Sequence, residues 1–207
     1  MTIYGWLQLG ALAVFLGLAV GRTIRIGRRR HLNAFAIRPD HNWWRWSLEV
    51  SFFAAVNLWA VEVVLAAIPG EMSLLPAALG RVVADAPWLK PAGAALVVAG
   101  LGLDAAGLWA LGESWRLGVD ERQPGELVTS GIYARTRNPI YLFFDLFFFG
   151  VFLVNGTLGF LLFAVFAGAN LHLQILDEER FLARVHGERY RQYRQAVGRY
   201  WTFRRVD

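Results

Sequence analysis

The chain has 207 residues, of which 56% are hydrophobic and only 18% are charged, a composition well away from that of average soluble domains. It contains no cysteine and only four histidines, which excludes a disulfide framework, thiolate metal sites and a cysteine nucleophile. The net charge of +5 is compatible with nucleic-acid binding, but the basic residues flank apolar segments, so we expect no nucleic-acid partner. With no cysteine and so few histidines we also expect no bound metal.

Five apolar segments lack Lys and Arg and approach the length of about 20 residues that a membrane-spanning helix needs. In chain order they run over residues 3–20, 46–68, 92–112, 139–154 and 158–176. No positive residue precedes the first of them, which argues against a cleavable signal peptide. The sequence therefore predicts an all-α integral membrane protein with about five transmembrane helices.

The basic residues predict the orientation of these helices, because connections rich in Lys and Arg stay on the cytoplasmic side. Segments 22–45, 113–138 and 177–207 carry seven, four and eight such residues, whereas the opposite connections carry only Arg81 and Lys90. Five spans with an outside N-terminus place all three basic segments in the cytoplasm. We therefore expect a multi-pass protein of the cell (inner) membrane with a cytoplasmic C-terminus.

Four acidic residues, Glu49, Glu62, Asp104 and Asp145, fall within the apolar segments. Carboxyl groups are costly inside hydrocarbon, and the segments contain no Lys or Arg to neutralise them. We expect them to bond to amides, hydroxyl groups or one another, which favours a role in helix packing over catalysis.

The fourth segment begins with the features of a helix N-terminus at the membrane surface. Pro139 suits the first helical position, where its missing N–H costs nothing, and Asn138 is a good cap. A helix N-terminus can also bind anions. Taken alone, these two residues are equally consistent with an ordinary helix start.

The cytoplasmic end of the fifth segment carries a polar stripe. Asn170, Gln174 and Glu178 are four residues apart and share a helical face, whereas Glu179 points away from it. Such a stripe either lines a wet cleft or forms a solvated helix exit. Residues 180–197 then combine apolar side chains with five arginines and predict an amphipathic cytoplasmic helix along the membrane surface, which roofs the cleft.

Short motifs in the second half of the chain resemble those of the isoprenylcysteine carboxyl methyltransferase family, within the wider group that includes phospholipid N-methyltransferases. The matching pieces are GESW at 112–115, LVTSGIY at 127–133, RNPIY at 137–141, EE at 178–179 and HGERYRQY at 186–193. The resemblance implies two regions. Residues 1–91 form an N-terminal membrane region with two spans and a basic cytoplasmic loop. Residues 92–207 form a methyltransferase-like membrane region with three spans, a cofactor loop and a C-terminal cap.

The resemblance also implies a membrane enzyme that uses S-adenosylmethionine in a cytoplasmic-side pocket. Carried over by motif, the cofactor-binding positions are Asp120, Glu126, Leu127, Val128, Tyr133, Asn138, Pro139, Tyr141 and Glu178. The family usually has His at the position of Asn138, and its carboxyl methyltransferases place a substrate-binding Arg at the position of Gln174. The acceptor therefore stays open among lipophilic molecules or lipids with a carboxylate, amine or thiol head group.

The residue types suit this chemistry. The cationic groups of S-adenosylmethionine, the methyl donor, favour a carboxylate such as Glu178, and its adenine suits packing on Tyr133 or Tyr141. Methyl transfer is an in-line displacement that depends on positioning and needs no metal. A protonated amine acceptor additionally requires a base, for which His172 and the carboxylates at 177–179 are the candidates. The predicted catalytic group is therefore Gln174, Glu178 and His172.

Two other functions compete with methyl transfer. A membrane reductase of the sterol-reductase type bears similar motifs but binds NADPH, and Arg135, Arg137 and Arg189 are candidates for holding its extra phosphate. A non-enzymatic lipid-binding membrane protein binds neither cofactor. The compact five-span length and the motif at 127–133 favour the methyltransferase.

Overall fold

The computed structural model of the protein describes residues 2–30, 43–70, 72–112 and 126–202. These residues form five α-helices and one short 3₁₀ helix. The α-helices are α1 (Ile3–Arg30), α2 (Trp43–Ala67), α3 (Leu89–Leu111), α4 (Pro139–Asn155) and α5 (Leu158–Ala196), and the 3₁₀ helix, Gly131–Ala134, precedes α4. In this part of the chain no strand is present beyond an isolated bridge between Val82 and Thr157. The predicted all-α class is confirmed.

Three of the helices are long and apolar enough to cross a membrane: α2 over Ser47–Ala67, α3 and α5. The remaining apolar helices, Ile3–Leu18 and Pro139–Asn155, are shorter. All five fall where the sequence predicts apolar segments. A membrane location is therefore supported, while five spans and their orientation remain predictions.

Helix α5 continues past the predicted end of the fifth span. Its 39 residues include one non-helical position, Gly187. The stretch before it, residues 158–186, corresponds to about 44 Å of α-helix, longer than the hydrocarbon layer of about 30 Å. The prediction of a separate amphipathic helix over 180–197 is not confirmed, because the chain stays helical across residue 180. No glycine or proline interrupts the sequence there before Gly187, which has φ 51° and ψ −121° and is the non-helical position inside α5.

The contacts of the chain divide it into two compact units, which are described separately. The first unit comprises Met1–Leu16, Pro39–Leu101 and Phe144–Asn170. Its centre is aromatic: the Trp59 ring stacks on Phe163 with centroids 5.3 Å apart and meets Phe148 edge to face at 4.9 Å. Such ring pairs contribute favourable contact energy beyond the area they bury.

Within the first unit, α3 and α4 approach closely at two glycines. A Cβ atom on Gly93 would lie 2.5 Å from the Gly150 carbonyl oxygen, and one on Gly150 would lie 2.7 Å from the Gly93 carbonyl oxygen. Small residues permit this kind of backbone contact between helices in membranes.

Hydrogen bonds also hold the segment between α2 and α3 in the first unit. The buried Glu62 accepts from the Ser73 hydroxyl at 2.8 Å and from the Leu74 N–H at 2.6 Å. The Gly156 carbonyl accepts from the N–H groups of Val83 and Ala84. Glu62 thus has the hydroxyl and amide partners that the sequence predicts for acids in the apolar segments.

The second unit comprises Gly17–Arg38, Gly102–Phe143 and Leu171–Asp207. A hydrophobic cluster of Leu127, Tyr190, Tyr193 and Val197 lies at its centre. A Cβ on Gly107 would lie 3.3 Å from Pro139, so the end of α3 packs against the first residue of α4. This unit contains the described residues of the predicted site.

Candidate functional site

A buried carboxylate, Glu179 of α5, joins the start of α4 to the C-terminal segment. Arg137 donates to its Oε1 from Nη2 at 2.7 Å and from Nε at 3.2 Å. Arg199 donates from Nη2 to Oε2 at 3.0 Å and from Nε to Oε1 at 3.2 Å. The side chains of Arg137 and Glu179 are only 7% and 6% exposed. Two guanidinium groups, whose planar donors match a carboxylate well, therefore neutralise one buried acid.

Arg137 also binds the end of α5. Its Nη1 donates to the carbonyl oxygens of Arg194 at 3.1 Å and Val197 at 2.6 Å. The last carbonyl groups of a helix lack partners inside the helix, and a cation is favourable at that end. The Arg137 N–H additionally donates to the Gly198 carbonyl at 3.1 Å. The C-terminal segment is thus fastened to the residues that precede α4.

Asn138 and Thr136 complete this junction. The Asn138 Nδ2 donates to Glu179 Oε1 at 3.3 Å and to the Arg199 carbonyl at 3.1 Å. The Thr136 hydroxyl donates to the same carbonyl at 3.3 Å and accepts from the Asn138 N–H at 3.1 Å. An asparagine amide has two N–H donors, and both are used inside the protein. Asn138 therefore fixes the start of α4 through its side-chain amide.

Glu178 faces a different environment from Glu179. Successive residues of an α-helix are about 100° apart, which turns its carboxylate away from the two arginines. Glu178 is partly buried, and the Tyr141 hydroxyl in the first turn of α4 donates a hydrogen bond to it. The structure thus brings together two of the predicted cofactor positions.

Tyr133 lies beside this pair. It belongs to the 3₁₀ helix and is buried, and its carbonyl accepts a 2.7 Å hydrogen bond from the Tyr193 hydroxyl. Burial, then the charge of Glu178, then Tyr193 and Asp104 raise the pKa of the Tyr133 phenol. The phenol therefore stays protonated at neutral pH, and two carboxylates lie within its electrostatic range.

The other predicted cofactor positions differ in exposure. Glu126 is exposed and Val128 is partly buried, whereas the Leu127 side chain belongs to the hydrophobic cluster of the second unit. Pro139 is fully buried as the first residue of α4. Asp120 lies outside the described residues.

Gln174 and His172 precede Glu178 on α5. Gln174 is exposed and stands one helical turn before Glu178. His172 is partly buried, and its Nδ1 lies 2.6 Å from the Tyr200 hydroxyl, with the two rings stacked at a centroid distance of 6.2 Å. A separation of six residues puts His172 about 240° around the helix from Glu178, so the two side chains leave α5 in different directions.

No local sequence pattern predicts the ion-pair partners of Glu179, since Arg137 and Arg199 lie 42 and 20 residues away. The acidic pair at 178–179 does carry a signal, because consecutive helical positions cannot share one face. One of the two acids therefore required partners of its own.

The arrangement around Glu178 suits a cationic ligand with an aromatic part. The Glu178 carboxylate lies beside the phenol rings of Tyr141 and Tyr133, and Asp104 is a second acid near Tyr133. Cations are attracted both by carboxylates and by the faces of aromatic rings. Among residues 2–30, 43–70, 72–112 and 126–202, no cluster of three or more His, Asp or Glu side chains is placed to hold a metal ion.

Comparison with known proteins finds a match in the second half of the chain. A family model described as phospholipid methyltransferase matches residues 89–189, from the start of α3 to the last part of α5. No curated protein matches the chain. The matched segment contains Tyr133, Tyr141 and Glu178.

Proposed function

We propose that the protein uses S-adenosylmethionine to methylate a lipophilic acceptor at the cytoplasmic membrane interface. The proposal starts from the phospholipid methyltransferase domain at residues 89–189, which falls in the family group that includes the isoprenylcysteine carboxyl methyltransferases. The observation that carries the proposal is the grouping of Glu178, Tyr141 and Tyr133 within the matched segment. The family itself suggests methyl transfer to a lipid or other lipophilic acceptor.

The described residues fit this cofactor chemically. S-adenosylmethionine supplies, when bound, an activated methyl group on a positively charged sulfur. The Glu178 carboxylate matches that charge, and the Tyr141 hydrogen bond holds the carboxylate in position. The rings of Tyr133 and Tyr141 offer surfaces for the adenine and for cation–π contact. Positioning of this kind contributes much of the rate of a displacement reaction.

The other predicted residues have supporting roles in the proposal. Asn138 and Pro139 fix the start of α4, and thereby Tyr141. The backbone of Glu126, Leu127 and Val128 borders the donor, and Asp120 is a further proposed donor-binding residue. Gln174, one helical turn before Glu178, lies on the acceptor side. His172 leaves α5 in another direction; if the acceptor is a protonated amine, the proposed base is its Nε2 atom, because Nδ1 already contacts Tyr200.

The reductase alternative loses one of its expected phosphate ligands. The Arg137 guanidinium is bound to Glu179 and to two carbonyl groups, and its side chain is buried. It is therefore not free to hold the extra phosphate of NADPH. This observation favours the methyl donor over the nicotinamide cofactor.

The proposal is tested by calorimetric titration of the detergent-purified protein with S-adenosylhomocysteine and with NADPH. We expect the first to bind and the second not to bind. Glu178→Gln should weaken binding of S-adenosylmethionine about tenfold, a loss of about 1.4 kcal/mol, because the carboxylate no longer balances the sulfonium charge.

Glu188→Gln is the matched control, since Glu188 lies on the same helix but forms an exposed pair with Arg191. Its affinity for S-adenosylmethionine should stay within about twofold of the original protein. Binding of NADPH alone, or equal losses in the two variants, would contradict the proposal.

A further inference from the structure

Asp104 is a buried acid that lacks a complete set of partners. Its side chain lies in α3, the residue is only 2% exposed, and its Oδ2 atom has no hydrogen-bond partner among the described residues. Glu62, the other fully buried acid of the apolar segments, accepts two hydrogen bonds. Asp104 therefore has a buried carboxylate oxygen without a hydrogen-bond partner, whereas both carboxylate oxygens of Glu62 accept one.

The position of Asp104 places it at the proposed site. Gly107, three residues later and on the same face of α3, packs against Pro139 and Ile140 at the start of α4. Asp104 also acts electrostatically on Tyr133, as Glu178 does. The two carboxylates therefore lie around the same tyrosine, one from α3 and one from α5.

An unpartnered carboxylate oxygen in this position favours a ligand that brings both positive charge and N–H groups. Burial of a carboxylate is costly unless it is paired and hydrogen-bonded. A sulfonium has charge but no N–H donor, whereas an ammonium has both. The ammonium is therefore the better partner for Asp104, and the sulfonium suits Glu178, which already accepts from Tyr141.

We propose that Asp104 binds the ammonium group of the methyl donor, and that the site thus provides a separate carboxylate for each of the donor's two positive centres. This assignment rests on the proposed function. It makes Asp104 a donor-binding residue rather than a helix-packing residue, and it depends on the unpartnered Oδ2 atom and the packing of α3 on α4.

The experiment compares two ligands that differ only in this group: S-adenosylhomocysteine and its deaminated analogue, which keeps the carboxylate. Calorimetric titration of the purified protein should show that the amino compound binds at least about tenfold more tightly. In Asp104→Asn this preference should fall to about twofold or less, with the loss confined to the amino compound. Asp145→Asn, in α4, is the control and should keep the original preference.

The outcomes separate this assignment from the proposed function. If the original protein binds neither compound, both are overturned. If it binds both compounds equally, only the role of Asp104 is overturned, and this result needs no variant and so does not depend on folding of Asp104→Asn. If Asp104→Asn keeps the original preference, or loses affinity equally for both ligands, Asp104 does not contact the ammonium.

Discussion

Two adjacent glutamates of α5 illustrate how neighbouring residues take different roles. Glu179 is held by Arg137, Arg199 and Asn138, whereas Glu178 is hydrogen-bonded by Tyr141. Because a helix rotates about 100° per residue, one acid faces the C-terminal junction and the other faces the proposed donor site. The first secures the local structure, and the second is the proposed partner of the methyl donor.

Replacement of Glu179 tests the structural half of this division. Glu179→Gln leaves the buried Arg137 charge without its partner, which costs about 3 kcal/mol in buried pairs. We expect the unfolding midpoint in detergent to fall by roughly 6 to 12 °C. Glu188→Gln removes an exposed pair and should change it little. Similar midpoints for the two variants would show that the Glu179 junction does not stabilise the protein.

At the level of single residues, the family motifs select three positions that interact in the structure, Tyr133, Tyr141 and Glu178. Their role as cofactor-binding residues remains a prediction. The sequence did not show that both N–H donors of Asn138 serve the C-terminal junction, because that depends on Arg199, 61 residues away. Side-chain partners at such separations follow from helix packing and are not encoded in any local pattern.

The close contact of α3 and α4 makes its glycines sensitive to any side chain. A methyl group at Gly150 would meet the Gly93 carbonyl at 2.7 Å and a Val97 methyl at 2.9 Å. Overpacking of this kind costs about 1 to 3 kcal/mol. We therefore expect Gly150→Ala to lower the thermal midpoint in detergent. Gly102→Ala is the control, since a Cβ there meets nothing within 4 Å; an equal loss in this variant would refute the packing explanation.

The helices also show what a periodic pattern can and cannot predict. Apolar stretches located all five helices, because residue composition alone distinguishes them from the connections. The change from apolar to charged residues at position 177 predicts where the fifth span leaves the hydrocarbon. It does not end the helix, because the backbone of α5 departs from helical geometry only at Gly187.

At the scale of the whole molecule, the distribution of Lys and Arg leads to a testable topology. Reporters fused after residue 207 and within residues 74–90 should report opposite compartments, the first cytoplasmic and the second external, because an odd number of spans separates them. Alkaline phosphatase and green fluorescent protein fusions provide the two readouts. Detection of both positions in one compartment would contradict five spans.

The Arg137–Glu179–Arg199 junction also has a consequence for biosynthesis. The chain emerges from the ribosome at about 5 to 20 residues per second. Glu179 is translated 42 residues after Arg137, and Arg199 follows after a further 20 residues, roughly 1 to 4 s later. During that last interval Arg137 can pair with Glu179 while Arg199 is still absent, so the buried junction is completed only at the very end of synthesis.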